Sequence, residues 1–392
     1  MNASPFLPPV PPAFPLLPIT SDATLRKCKS FPCKSCDIFI ASYPKSGTTW
    51  TQNIVYQLLA AAADVAKKDR LNKRRTEHGE NEGKAYVGVR SNGGSRSCGE
   101  SALEVVDTQK DVERVDLSIE HISDVAPFYE ADRTWDGEGL AARYEAMHAR
   151  LGRRIFNTHL LWGMLPCTGD EERGEGAEGI EREEDSPCYL YIVRDGRDAC
   201  VSFFHHMKSM AKEDGGFEGD FSIFFQEWLE GRLAYGRWTD HVAAWMGRER
   251  ERGRGRNVRV LVVRYEDLKA DLTGELKRIA RHCGIDVGGG IGEKGEEVWE
   301  AVREKCSFEY MATNRRVYEP RSVTWRDRSF RFMRKGAVGD YRQLFTEDQC
   351  VCFAEAVREA QRKSGQAEAC LMRELLGGEE WERGRKEGEE RA

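Results

Sequence analysis

The sequence predicts an α/β fold, in which a central parallel β-sheet is flanked by helices on both faces. Two observations support this prediction: the chain contains four short apolar segments rich in β-forming residues, and helical patterns follow them. Short strands that alternate with helices are typical of a parallel sheet covered on both sides. The four segments are DIFIASY (37–43), RRIFNTH (153–159), CYLYIVRD (188–195) and NVRVLVVRYE (257–266).

The first helix is predicted directly after the first strand. Apolar residues recur there at spacings of three and four, the period of one helix face, at Trp50, Ile54, Leu58, Ala61 and Val65. The segment GRDACVSFFHHMKSM follows the third strand in the same way. Further helices are predicted at 221–247, 265–283, 294–305 and 346–363.

A single domain is predicted over residues 35–364. The preceding residues 1–34 begin with MNASPFLPPVPPAFPLLP, which is rich in proline and has no Lys or Arg, so we expect a disordered, extended tail. Two polar, glycine-rich segments, at about 67–115 and 168–186, are expected to be flexible insertions. The charged residues 365–392 are expected to form a disordered C-terminal tail.

The composition favours neither a nucleic-acid nor a membrane partner. The 392 residues include 60 Lys and Arg against 66 Asp and Glu, a formal net charge of -6. No apolar stretch reaches the about 20 residues that a membrane span needs, so we expect a cytoplasmic protein. The twelve cysteines lack the spacing of a disulfide framework. Cys28, Cys33 and Cys36 have the spacing of an iron–sulfur motif, but no partnered fourth cysteine stands out, and no metal is expected.

The loop after the first strand, SYPKSGTTW (42–50), predicts an oxyanion site. Backbone amides at the start of the following helix can point at an anion, aided by the helix dipole. Lys45, Ser46, Thr48 and Thr49 add one cation and three hydroxyls. A Walker loop for a nucleoside triphosphate reads G-x-x-x-x-G-K-[ST], whereas here the lysine precedes the only glycine. The alternative is a capped helix after a tight turn.

Three segments together resemble the soluble, cytosolic-type sulfotransferases. They are YPKSGTTW (43–50), YIVRDGRDACVSFFHH (191–206) and FMRKGAVGDY (332–341), in the order that this family has. The resemblance implies a P-loop-like domain and transfer of a sulfuryl group from 3′-phosphoadenosine 5′-phosphosulfate (PAPS) to a hydroxyl or amine. It implies a small-molecule acceptor and neither a metal nor a covalent intermediate.

The resemblance also implies which residues bind the donor. Lys45, Ser46, Gly47, Thr48 and Thr49 would surround the 5′-phosphosulfate, with Trp50 against the adenine. Residues from two other segments would bind the 3′-phosphate: Arg194, Ser202, Arg334, Lys335 and Gly336. Further adenine contacts would come from Tyr265, Cys306, Phe308, Phe332 and Met333, where Cys306 stands at a position that is usually Thr in the family.

The segment IFNTHLLWGMLP (155–166) resembles the part of the family that carries the general base, which falls on His159. A neutral imidazole near pH 7 can take the proton of an attacking hydroxyl, and Lys45 would stabilise the charge on the bridging oxygen. Many family members have a lysine where this chain has Asn157. Residues 124–136 and the helix at 221–247 are expected to contribute to the acceptor pocket.

The sequence is compatible with three functions. The first is an active sulfotransferase, the second a catalytically weak protein that binds PAPS or 3′-phosphoadenosine 5′-phosphate (PAP), and the third a P-loop nucleotide kinase. The segment RQLFTEDQCV keeps only Thr346 of the family's dimer motif, so we expect a monomer or a weak homodimer. The identity of the acceptor does not follow from these residues.

Overall fold

The computed structural model describes residues 14–82, 119–136, 149–166, 186–249, 259–288, 293–327 and 329–363. Within these ranges four strands form one sheet in the order β2-β1-β3-β4, and all neighbours are parallel. The strands are β1 (Asp37–Ser42), β2 (Arg154–Thr158), β3 (Cys188–Val193) and β4 (Arg259–Arg264). The predicted fold class and the four predicted strands are confirmed.

Both faces of the sheet are covered. Every residue of β1, β2 and β3 is buried, although successive side chains point to opposite faces. On one face the ring of Phe39 stacks between Phe156, at 5.0 Å, and Tyr189, at 5.4 Å. The segments are apolar throughout because side chains on both faces of the sheet are covered by other parts of the protein.

Eleven helices accompany the sheet in the described part of the chain. They are α1 (Asp22–Lys29), α2 (Thr48–Glu82), α3 (Asp132–Trp135), α4 (Gly196–Ser209), α5 (Phe221–Leu229), α6 (Trp238–Glu249), α7 (Tyr265–Ala270), α8 (Leu272–Cys283), α9 (Glu293–Lys305), α10 (Phe308–Thr313) and α11 (Glu347–Lys363). None of them combines the length and the hydropathy that a membrane span requires.

Two predicted helices are each divided in two. The helix predicted at 221–247 is interrupted between α5 and α6, where Gly231, Tyr235 and Gly236 all have positive φ angles that a right-handed helix does not allow. The helix predicted at 265–283 breaks at Asp271, whose backbone is not helical and whose side chain caps α8 by accepting from the Gly274 N–H at 2.9 Å.

The helix α2 continues to Glu82, although the sequence assigns residues from 67 onward to an insertion. Residues 67–82 contain no proline and many Lys, Arg and Glu, which are good helix formers without any apolar periodicity. Residues 83–115 of that insertion lie outside the described part of the chain. The same holds for 168–185 of the second insertion and for the tail at 365–392.

The prediction of a disordered tail over residues 1–34 is wrong for residues 14–34, while residues 1–13 are not described. Helix α1 begins with Ser21 capping the Thr24 N–H. Its buried Cys28 exchanges hydrogen bonds with Tyr129: the thiol donates to the Tyr129 carbonyl, and the Tyr129 hydroxyl donates to the Cys28 carbonyl at 2.8 Å. Phe31 then packs edge-to-face on Phe156. Apolar burial against the sheet thus outweighs the proline content of this segment.

A buried ion pair joins the amino ends of β1 and β2. Arg154 donates to both carboxylate oxygens of Asp37, at 2.6 and 2.7 Å, and both side chains are almost completely buried. Arg154→Met is expected to lower the free energy of unfolding by about 3–5 kcal/mol, because the Asp37 charge stays buried without its partner. Urea unfolding followed by circular dichroism measures this change.

The double variant Asp37→Asn with Arg154→Met is the control for that experiment, because it removes both charges. It is expected to be more stable than Arg154→Met alone. An unfolding free energy of Arg154→Met equal to that of the wild type would contradict the importance of this pair.

Candidate functional site

The predicted site residues meet at the carboxyl ends of the four strands. The loop 43–47 follows β1, His159 follows β2, Arg194 follows β3 and Tyr265 follows β4. One cavity of about 450 Å³ lies at this edge, which is where parallel α/β sheets bind ligands. Every predicted site residue lines it except Ser46 and Cys306. The Cys306 side chain is buried elsewhere, and its carbonyl accepts a hydrogen bond from the Trp50 indole at 2.7 Å.

The loop after β1 holds a backbone conformation that few residues adopt. Lys45 has φ +66° and Gly47 has φ +112°, and a Cβ atom at Gly47 would lie 3.0 Å from the Tyr265 ring. Ser46 is fully buried, and its hydroxyl has no hydrogen-bond partner in the described structure. Strained backbone and an unpartnered buried hydroxyl at a helix N-terminus are features of a site built for an anion.

Lys45 is a half-buried cation with other cations nearby. Its Nζ lies 3.8 Å from the centre of the Phe332 ring and 3.4 Å from Nδ1 of His206. Burial, with smaller contributions from Arg194 and Arg334, lowers the pKa of Lys45 to about 7. A bound anion in this cavity would therefore favour the charged form of Lys45.

Arg194 links the loop after β1 to the segment 332–341. Its guanidinium donates to the carbonyl of Ala337 at 2.8 Å and to that of Lys45 at 3.4 Å, and it lies 4.4 Å from the centre of the Tyr265 ring. The Nε of Arg194 is buried without a hydrogen-bond partner in the described structure.

The segment 332–341 supplies two more cations. Arg334 and Lys335 both pair with the carboxylate of Asp340, Lys335 at 2.7 Å. Gly336 has φ +61°, and a Cβ atom there would lie 2.5 Å from the Phe308 ring, so only glycine fits this close approach. Ser202 reaches the same cavity from α4. The structure thus places further cations in the same cavity, next to Arg194, whose guanidinium also donates to the Lys45 carbonyl of the loop after β1.

His159 is held as a neutral imidazole of one tautomer. Its Nδ1 lies 2.8 Å from the Ser42 carbonyl oxygen, which can only accept, so Nδ1 carries the proton and Nε2 has the free lone pair. The pKa of His159 is lowered to about 4, mainly by burial; the hydrogen bond to Ser42 opposes this shift, and the charge of Lys45 adds a smaller lowering. The ring packs edge-to-face on Phe128 and Tyr235 in the cavity. His159 can therefore accept a proton at neutral pH.

The segments expected to form the acceptor pocket do reach this cavity. Phe128 and Thr134 line it from residues 124–136, and Tyr235 lines it from between α5 and α6. Asn157 also lines the cavity, but its amide nitrogen donates to the Ala126 carbonyl at 2.8 Å. The Asn157 side chain is thus already engaged with the protein.

Sequence reasoning missed three residues around His159 and Lys45. His206 contacts Lys45, Glu130 accepts from the His159 N–H at 2.7 Å, and His241 Nε2 donates to the His159 carbonyl at 2.9 Å. His206 ends the segment YIVRDGRDACVSFFHH (191–206), which carries other predicted site residues, so the sequence did indicate that it lies near the site. Glu130 and His241 gave no comparable signal, because an isolated Glu or His is usually exposed or structural.

No group of His, Cys, Asp and Glu in the described ranges could hold a metal ion. Of the three cysteines with iron–sulfur spacing, Cys28 is buried and bonded to Tyr129, while Cys33 and Cys36 are partly exposed.

This chain is similar to known proteins in sequence and in structure. A family model described as "Sulfotransferase domain" matches residues 35–168 and 180–365. Sulfotransferase 1C2 of Oryctolagus cuniculus is 27% identical over 337 residues, which cover 84% of this chain and 85% of that protein. Luciferin sulfotransferase of Photinus pyralis is 24% identical over 342 residues, covering 86% of this chain and 74% of that protein.

Two solved structures share its fold. Mouse sulfotransferase SULT7A1 complexed with PAP has a TM-score of 0.53 and 24% identity, covering 91% of this chain and 95% of that one. Retinol dehydratase in a complex with retinol and PAP has a TM-score of 0.53 and 17% identity, covering 88% of this chain and 87% of that one.

The pKa of Lys45 can be measured directly. In the ligand-free protein the Cε resonance of Lys45 is expected to titrate near pH 7, whereas ordinary lysines titrate at about 10.4. Carbon NMR of protein with labelled lysine records the titration, and Lys45→Arg identifies the resonance by removing it. If the resonance lost in Lys45→Arg titrated with the other lysines, Lys45 would not be desolvated as described.

Proposed function

Because this chain belongs to the sulfotransferase family, we propose that it transfers the sulfuryl group of PAPS to a hydroxyl or amine of a small-molecule acceptor. The observation that supports this most is the presence of several cations and a neutral imidazole in one cavity. Lys45 comes from the loop after β1, Arg194 follows β3, and Arg334 and Lys335 come from the segment 332–341. His159 reaches the same cavity from the end of β2.

The residues present fit such a donor. A molecule with a phosphosulfate and a separate 3′-phosphate needs two groups of donors. Lys45, Thr48 and Thr49 would bind the phosphosulfate, and Arg194, Arg334 and Lys335 would bind the 3′-phosphate; all six line the cavity. At Gly47 and Gly336 a Cβ atom would come too close to the rings of Tyr265 and Phe308, so glycine allows the backbone to lie against these two rings of the cavity. Trp50, held by the Cys306 carbonyl, lines the same cavity beside Tyr265 and would contact the adenine.

The chemistry proposed for the protein's own groups follows from their protonation. The donor supplies the sulfuryl group when it is bound. His159 Nε2 accepts the proton of the acceptor hydroxyl, since its Nδ1 is committed to Ser42. Lys45 in its charged form stabilises negative charge at the bridge between phosphate and sulfate. The fixed orientation of both groups means that little reorganisation accompanies the reaction.

We propose an acceptor with an apolar body. The residues that line the cavity include Leu17, Ile19, Phe128, Tyr235 and Val323, side chains that favour hydrophobic small molecules. Phe128 and Tyr235 pack on His159, the proposed base for the acceptor. The names of relatives agree with small acceptors, since one of them is a luciferin sulfotransferase.

A second candidate is a protein that binds PAPS or PAP with little turnover. It is favoured by Asn157, whose uncharged side chain is bonded to Ala126 and cannot supply a further cation. It differs from the first candidate only in kcat. A nucleotide kinase finds less support, because the loop has no G-K-[ST] sequence.

The first test is donor binding. PAP is expected to raise the melting temperature of the protein in the absence of Mg²⁺, because protein cations are available at both anion sites. ATP with Mg²⁺ is the comparison ligand and is expected to have a smaller effect. Arg334→Met should weaken PAP binding without altering the fold. Stabilisation by ATP with Mg²⁺ but not by PAP would favour the kinase instead.

The second test concerns His159. His159→Ala is expected to lower kcat by roughly 10²- to 10⁴-fold, the usual contribution of a general base, and to leave the Kd for PAP close to that of the wild type. Initial rates with labelled PAPS and calorimetric titration with PAP measure the two quantities. If kcat fell and the Kd for PAP rose to a similar extent, His159 would have a structural rather than a catalytic role.

A further inference from the structure

We infer that Glu130 and His241 are positioning residues for His159, an inference that rests on the proposed function. Strand β2 ends at Thr158, so the backbone of His159 has left the hydrogen-bond ladder of the sheet. Its N–H donates to Oε1 of Glu130 at 2.7 Å, and its carbonyl accepts from Nε2 of His241 at 2.9 Å. Both side chains are 0% exposed.

Glu130 is brought to this place by the segment that pairs with the end of β2. Phe128 and Asn157 form a parallel bridge, in which the Asn157 N–H donates to Pro127 at 3.1 Å and the Tyr129 N–H donates to Asn157 at 2.8 Å. This pairing stops one residue before Glu130, whose side chain then continues it in the place of a backbone carbonyl. Burial raises the pKa of Glu130 to about 7. Either protonation state keeps an oxygen that accepts from His159.

His241 is fixed from α6 in a single tautomer. Because its Nε2–H donates to a carbonyl, its Nδ1 must accept, and the partner is the Tyr191 hydroxyl at 3.0 Å. The two rings also stack at 22°. Tyr191 belongs to β3, so His241 connects the backbone of His159 to the strand that precedes Arg194.

Together these contacts leave His159 one unengaged polar atom. Glu130 binds its N–H, His241 binds its carbonyl and Ser42 binds its Nδ1, so that Nε2 is the polar atom available to the cavity. Each partner comes from a different segment of the chain. Loss of one of them would let the imidazole shift relative to an acceptor, and a displacement of about 1 Å can reduce the rate by roughly 100-fold.

The test uses three variants and a matched control. Glu130→Ala deletes the acceptor for the His159 N–H, whereas Glu130→Gln keeps an oxygen there. His241→Phe keeps the stacked ring but removes both nitrogens. The control, Tyr189→Phe, deletes another buried hydrogen bond from a side chain to a backbone carbonyl, that of Tyr189 to Pro166 at 3.1 Å, at a residue that does not touch His159.

Glu130→Ala and His241→Phe are expected to lower kcat by roughly 10- to 100-fold, with the KM for PAPS and the Kd for PAP within about twofold of the wild type. Glu130→Gln should recover most of kcat, and Tyr189→Phe should keep all of it. The inference is overturned if the first two variants keep the wild-type kcat, or if they lose PAP binding and kcat in parallel, which a general structural defect would cause.

Nitrogen NMR of histidine gives a readout that does not need turnover. The wild type is expected to show His159 as the Nδ1–H tautomer alone, and Glu130→Ala to show a mixture of tautomers or an altered shift. If the wild type bound PAP but transferred no sulfuryl group, the proposed function would fail while the NMR comparison still tested the positioning. An unchanged His159 signal in both Glu130→Ala and His241→Phe would refute the positioning role.

Discussion

The parallel pairing of β1 with both β2 and β3 is the constraint on which the site depends. In this register Ile40 of β1 lies beside Asn157 on one side and Leu190 on the other, so the three strands end at one edge. The loop after β1 is thereby placed between the ends of its two neighbours. The bond from His159 Nδ1 to the Ser42 carbonyl, at 2.8 Å, joins the ends of β2 and β1 directly. The buried pair of Asp37 and Arg154 holds the opposite ends of the same two strands.

The same arrangement explains the electrostatics of the cavity. Lys45 and Arg194 lie at the ends of adjacent strands. Burial, and to a smaller extent the charge of Arg194, favours the neutral form of Lys45, while burial and the charge of Lys45 favour the neutral form of His159. An anionic ligand would reverse this effect at Lys45, while His159 stays neutral because its pKa lies well below 7. The cavity thus combines a cation that responds to the donor with a base that does not need to be deprotonated. Both properties suit the proposed transfer.

The sequence predicted the sheet, the strand ends and most cavity-lining residues, because these depend on local patterns: an apolar run, a glycine in a tight loop, a cation after a strand. It did not predict contacts between distant segments. Glu130 and His241 lie 29 and 82 residues from His159, and their residue types alone do not indicate a partner. Likewise, residues 14–34 were expected to be disordered because of prolines nearby, but Cys28 finds its partners at Tyr129, 101 residues away. The break between α5 and α6 depends on the positive φ of Tyr235, which no propensity scale indicates.

The proposed function requires that one cavity binds a doubly anionic donor and supports transfer from it to a neutral hydroxyl. The most direct measurement is to incubate the wild-type protein with sulfur-labelled PAPS and a panel of phenols, sterols and other alcohols, and to quantify labelled product and PAP. Labelled product is expected with at least one acceptor, in an amount equal to that of PAP and only when that acceptor is present. Binding of the donor without labelled product from any member of the panel would contradict the proposed function.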